Sequence, residues 1–168
     1  MKKILLTVIG LMAVASANAG QWKESYQSDE MRGTSRKFVE NSSVNSVDFE
    51  FPYNGGSSMS LVLRSNNTEL KNNEKAEELP LSEAMLIISK GQFTCDSYND
   101  CSISVKFDDE KIQRYSMSRS SSGSSDVMFV DDSRQFIKNI KSHNKLIIEA
   151  QFYRAGAKQF KFDLTGLK

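Results

Sequence analysis

Lys145-Leu146-Ile147-Ile148-Glu149-Ala150-Gln151-Phe152-Tyr153-Arg154-Ala155-Gly156-Ala157-Lys158-Gln159-Phe160-Lys161-Phe162-Asp163-Leu164 is the most regular stretch of this chain. Leu146, Ile148, Ala150 and Phe152 alternate with Ile147, Glu149, Gln151 and Tyr153. Beyond Arg154-Ala155-Gly156-Ala157, Phe160, Phe162 and Leu164 alternate with Lys161, Asp163 and Thr165. Successive side chains of a strand point to opposite faces, so each run buries one face. Two such runs around a glycine-bearing turn predict an antiparallel hairpin.

The same pattern recurs upstream. Met59, Leu61 and Leu63 fall on one face of a strand over 59–64. Ile103, Val105 and Phe107 alternate within 102–107, and Asp108-Asp109-Glu110-Lys111 turns the chain into 112–117, a second hairpin. Residues 126–130 return to strand. Met85-Leu86-Ile87-Ile88 is a continuous apolar run ending at Lys90-Gly91. A helix opening at Ser82 competes for it, but a strand buried on both faces is the favoured reading. Pro52-Tyr53-Asn54-Gly55-Gly56 supplies a tight turn. The polar connection 65–78 has room for a helical turn within 69–79. Residues 20–40 are polar with scattered aromatics and receive no firm element; Trp22 within them is read as a buried anchor for the first strand, with an exposed contact residue as the alternative. One helix is expected, over 133–142: Ser133 caps it, Phe136, Ile137 and Ile140 form its stripe, and Lys138 and Lys141 face water. The expected fold is mainly β: two packed antiparallel sheets, sandwich-like, with one short helix across an end or edge.

The start of the chain gives an address. Met1-Lys2-Lys3 is cationic, residues 4–14 are an apolar run, and Ala17-Asn18-Ala19 is a small-x-small site. This is the pattern of a secretory signal peptide, with cleavage after Ala19 and a mature chain from Gly20. No cysteine follows the cleavage site closely, so no lipid attachment is expected. No later apolar run approaches the roughly 20 residues of a spanning helix. The expectation is one exported domain, 20–168, in the periplasm or secreted, with no membrane anchor after cleavage. The full chain carries 22 Lys+Arg and 21 Asp+Glu; removing Lys2 and Lys3 leaves 20 against the same 21. That balance gives no basic surface for nucleic acid.

Candidate chemistry is sparse. Cys95 and Cys101 are the only cysteines, with five residues between them. In an oxidising compartment such a pair is expected to form a structural disulfide. It lacks the Cys-x-x-Cys spacing of redox catalysis, and no further ligands accompany it for a metal, so neither metal nor cofactor is expected. His143 is the sole histidine and sits at the expected helix end, without a nucleophile elbow elsewhere in the chain. Asp108, Asp109, Glu110, Asp131 and Asp132 lie in turn contexts, where carboxylates serve local backbone bonding. The loop 118–125 carries Arg119, Ser121, Ser122, Gly123 and Ser124 and is the candidate binding loop, adaptable and rich in donors.

Three strings carry a resemblance: Gly91-Gln92-Phe93-Thr94-Cys95 followed by Cys101 and Val105-Lys106-Phe107-Asp108-Asp109; Ser124-Ser125-Asp126-Val127-Met128-Phe129; and Phe162-Asp163-Leu164-Thr165-Gly166-Leu167. They resemble small exported bacterial and prophage-encoded proteins of unknown function, and more distantly VasI, the periplasmic accessory protein of type VI secretion clusters. The resemblance implies a β-sandwich with an interaction role and brings no catalytic residue. The functional expectation is a non-enzymatic periplasmic domain that binds an envelope protein or cell-wall component, as a phage-related inhibitor or immunity protein or a secretion accessory would. Two alternatives stand beside it: a glycan hydrolase using paired carboxylates, tested at Asp109 or Asp132, and a pilin-like structural subunit.

Overall fold

The computed structural model describes residues 22–71, 74–95 and 101–167. The segment expected to be a signal peptide, the expected cleavage residues Ala17, Ala19 and Gly20, and residues 96–100 between the cysteines lie outside the described residues.

The strands are β1 (Lys23–Asp29), β2 (Thr34–Ser42), β3 (Val47–Phe49), β4 (Gly55–Ser57), β5 (Met59–Ser65), β6 (Thr68–Glu69), β7 (Leu81–Ile88), β8 (Ser102–Phe107), β9 (Gln113–Arg119), β10 (Val127–Val130), β11 (Lys145–Phe152) and β12 (Gly156–Asp163). One helix, α1 (Ser133–Ser142), links β10 to β11, and a short 3-10 turn spans Ala76–Glu78. The fold is mainly β and antiparallel throughout, in the order β1-β2-β5-β7-β10-β9-β8-β11-β12, with β6 against β2 and β3-β4 as a separate hairpin.

The terminal hairpin forms in the register its alternation requires. Leu146 faces Phe162 and Ile148 faces Phe160, and all four are buried. β5 and β7 behave as expected too: Met59, Leu61 and Leu63 are buried, and Met85 joins Ala84 and Leu86 in being buried on opposite faces of β7. The expected pair of separate sheets is instead one folded sheet. β9 pairs with β10 through Met117–Arg119 and with β8 through Gln113–Ser116, so it turns the corner between the layers. The far ends of the sheet then meet. The Val44 amide donates to Lys161 O at 2.7 Å, Asn41 Nδ2 donates to Asp163 O at 2.6 Å, and Trp22 Nε1 donates to Leu164 O at 3.1 Å. Trp22 is half-buried against the core, in keeping with an anchor for β1.

α1 packs on β7 and β10, with Phe136, Ile137 and Ile140 buried and Lys138 and Lys141 exposed. Its cap differs from expectation. Asp132 accepts the Gln135 amide, whereas Ser133 is buried, donating to Val130 O at 2.6 Å and accepting the Ala84 amide at 2.9 Å. A serine at that position serves the sheet beneath the helix, and its neighbour takes the helix end.

Residues 20–40 also differ. From Lys23 onward the chain forms the β1–β2 hairpin, with Gly33 at φ 63 closing its turn, a conformation that costs glycine little. Every residue of β1 before Asp29 is exposed, so no hydrophobic period marks it. The helical turn anticipated within 69–79 shrinks to the 3-10 turn Ala76–Glu78.

Candidate functional site

The outward side chains of β8, β11 and β12 make a patterned surface. On β8 these are Ser102, Ser104 and Lys106; on β11, Lys145, Ile147 and Glu149; on β12, Gln159, Lys161 and Asp163. Register sets them in rows. Ile147 is directly opposite Lys106 on one side and Lys161 on the other. Glu149 faces Ser104 and Gln159, and the Gln159 amide donates to it at 2.7 Å. The middle row is therefore a half-buried aliphatic side chain flanked by two lysines, and neither lysine has an ion-pair partner among the described residues.

Two hollows flank that row. The smaller, about 230 Å³, lies between Ile147, Glu149 and Ile112. The larger, about 620 Å³, runs over Lys106, Ile147 and Lys161 to Val44, Asn144 and Thr165. Ile112 is 72% exposed and Val44 45%, so apolar side chains stand at the outer ends of both. The acids bordering the larger hollow are mostly committed. Asp108 accepts the backbone amides of Lys145 at 2.8 Å and Asn144 at 3.1 Å. Asp163 accepts the Thr165 hydroxyl and amide, which hold its carboxyl below the usual aspartate range, with Lys145 adding to the effect. The surface thus presents aliphatic contact area with unspent positive charge at its centre.

The expected site residues fall elsewhere. A disulfide joins Cys95 and Cys101. It ties residues 92–95 to the residue preceding β8, and both segments run along the same side of β11, since β12 takes the other. Arg119 ends β9, exposed, and the loop after it is a compact turn. Ser120 and Ser122 share a hydroxyl bond at 2.8 Å, the Gly123 amide donates to Ser120 O at 3.0 Å, and Ser124 donates to Asp126. Ser121 is exposed beside them. This turn sits next to the cysteine segment, where the Phe93 amide donates to Ser125 O at 2.8 Å. It borders neither hollow.

The carboxylates do local work. Asp132 caps α1, Asp131 accepts the Ser118 hydroxyl, and Glu110 meets His143. Asp109 lines the larger hollow and Asp132 does not. Among the described residues, no three His, Cys, Asp or Glu side chains gather as a metal would require.

His143 ends α1 and ties it to the β8–β9 turn. Nδ1 donates to Asn139 O at 2.7 Å, Nε2 lies 3.1 Å from Glu110 Oε1, and the ring packs 4.9 Å from that of Phe107. The Asn139 carbonyl raises the imidazole pKa most; burial opposes it, and Glu110 and Asp108 reinforce it. A raised folded pKa means the protonated ring is favoured in the native state. Its stabilisation is fully present below the unfolded value of about 6.5 and fades as pH rises through the folded one. His143→Gln is therefore expected to lose stability relative to the native chain at about pH 6 but much less at about pH 8. Urea midpoints at the two pH values check this, and an equal loss at both would contradict it.

No protein-family model, curated protein sequence or solved structure matches the chain.

Proposed function

We propose that this chain is an exported, non-enzymatic binding domain whose β8–β11–β12 face docks an acidic segment of an envelope protein. The observation that carries the reading is the Lys106–Ile147–Lys161 row. An aliphatic side chain between two unpaired cations suits a partner that brings a carboxylate and an apolar side chain together. Arrays of this kind favour encounter and register through charge and retain the partner through apolar contact. The disulfide suits an oxidising compartment, as export by a signal peptide ending at Ala19 requires. A secretion accessory and a phage-related inhibitor both fall within this reading.

A photo-crosslinking residue at Ile147, introduced in living cells, tests it. The expected result is a discrete adduct with an envelope protein, lost in a Lys106→Glu, Lys161→Glu background whose thermal melt is unchanged. Surface charge changes of this kind alter folding stability by only about 0.5 kcal/mol. Absence of an adduct, its persistence after charge reversal, or co-sedimentation with bare cell-wall sacculi in place of a protein adduct would each overturn the reading.

A further inference from the structure

The two ends of the folded sheet are treated differently. The outer side of β12 is covered: Val44 and Asn45 run beside it, the Val44 amide bonding Lys161 O and the Asn45 side chain bonding both Lys161 N and Gln159 O. β1 has no neighbour on its outer side among the described residues. It is seven residues long, exposed on both faces, and contains neither proline nor a bulge in its pairing with β2. Open strands of this length present a row of free backbone donors and acceptors, and proteins ordinarily blunt them.

The sequence of β1 is Lys23-Glu24-Ser25-Tyr26-Gln27-Ser28-Asp29. Antiparallel pairing with an identical strand has one register that uses all seven residues, centred on Tyr26. That register sets Lys23 opposite Asp29 at both ends, Glu24 opposite Ser28, Ser25 opposite Gln27, and Tyr26 opposite Tyr26. The strand's one cation meets its terminal anion twice, and no like charges face each other. Asp29 is held at the strand end by Arg32, through both its backbone amide and its guanidinium, so its carboxylate is fixed where the second copy's lysine arrives.

We infer that β1 is a self-pairing edge, which joins two copies of this chain into one continuous sheet about a twofold axis at Tyr26. Opposite charges across a strand pair favour a register and like charges oppose it. A symmetric strand pair is an isologous contact, which closes at two copies. So small a contact belongs to the weak class of interfaces, under about 1,200 Å² in total. Dimers therefore form at high local concentration and place two Lys106–Ile147–Lys161 faces on one particle.

Sedimentation equilibrium tests the inference with protein purified from cells expressing the full sequence. The weight-average mass is expected to rise from one chain at about 1 µM towards two at about 1 mM. Lys23→Glu alone and Asp29→Lys alone should each weaken association about ten-fold, and the two together should restore it to within about three-fold. Circular dichroism melts establish that the variants remain folded. Under mild oxidation, Tyr26→Cys should cross-link two copies, whereas Lys23→Cys should not, its two copies lying about 20 Å apart in this register. A monomer throughout, a dimer indifferent to the charge reversals, or equal cross-linking at both positions would overturn it.

Discussion

Phe136→Ala is expected to cost about 3–5 kcal/mol of folding stability. Phe136 is fully buried, with its ring 4.9 Å from Tyr115 edge-on and 6.0 Å from Phe107. Those two neighbours belong to β9 and β8, where the sheet turns its corner, and α1 fills the space beside them. The cavity left by the lost ring collapses poorly because strand register fixes Tyr115 opposite Ile103 and Phe107 opposite Leu146. Loss on this scale matters against the roughly 5–15 kcal/mol that holds an ordinary domain together. Urea denaturation followed by circular dichroism measures it. Phe51→Ala is the control: Phe51 is 76% exposed, and its loss should change stability by under about 0.5 kcal/mol. If Phe136→Ala behaved like the control, α1 would not be part of the core.

Why α1 was visible in the sequence, and its cap was not, shows where local reasoning stops. Phe136, Ile137 and Ile140 share a helical face by spacing alone. Asp132 and Ser133 are both good caps, and what separates them is the Ala84 amide, 49 positions away, which claims the Ser133 hydroxyl. The same division runs through the sheet. The β11–β12 hairpin was legible because one face is apolar and the other polar. β1 was not, because an exposed edge strand carries polar residues on both faces and leaves no period to detect. Three-residue strands such as β3 and β4 are too short to display one. Ile147 was placed on the polar face by alternation. Its flanking lysines, however, come from two other strands, and Val44 arrives from a segment about a hundred residues earlier. Only the assembled register creates that surface, so no motif in the linear chain announces it. The serine-rich loop drew attention by composition, yet several of its hydroxyls bond within the turn itself.

Reduction of the Cys95–Cys101 disulfide is expected to lower stability by about 2–3 kcal/mol, the effect of closing so short a loop in the chain-entropy account. The location gives the loss a specific pattern. Residues 92–95 are held along β11 by the Thr94 amide on Gln151 O and the Tyr153 amide on Gln92 O, and against the next loop by the Phe93 amide on Ser125 O. Phe93 is buried, its ring 4.9 Å from that of Phe152, which also meets Phe49 and Phe160. On the other side of the bond, Cys101, which directly precedes β8, accepts the Met117 amide of β9 through its backbone oxygen. Cleaving the disulfide frees one end of a short segment whose remaining ties are a few backbone bonds and one ring. The Phe93 and Thr94 amides should therefore lose hydrogen-exchange protection before those of β5 and β7, which lie inside the sheet with neighbours on both sides. Cys95→Ser combined with Cys101→Ser should reproduce the reduced chain and no longer respond to reductant. A urea midpoint unmoved by reductant would remove the staple from the account of this fold, as would two titratable thiols in the denatured, unreduced chain.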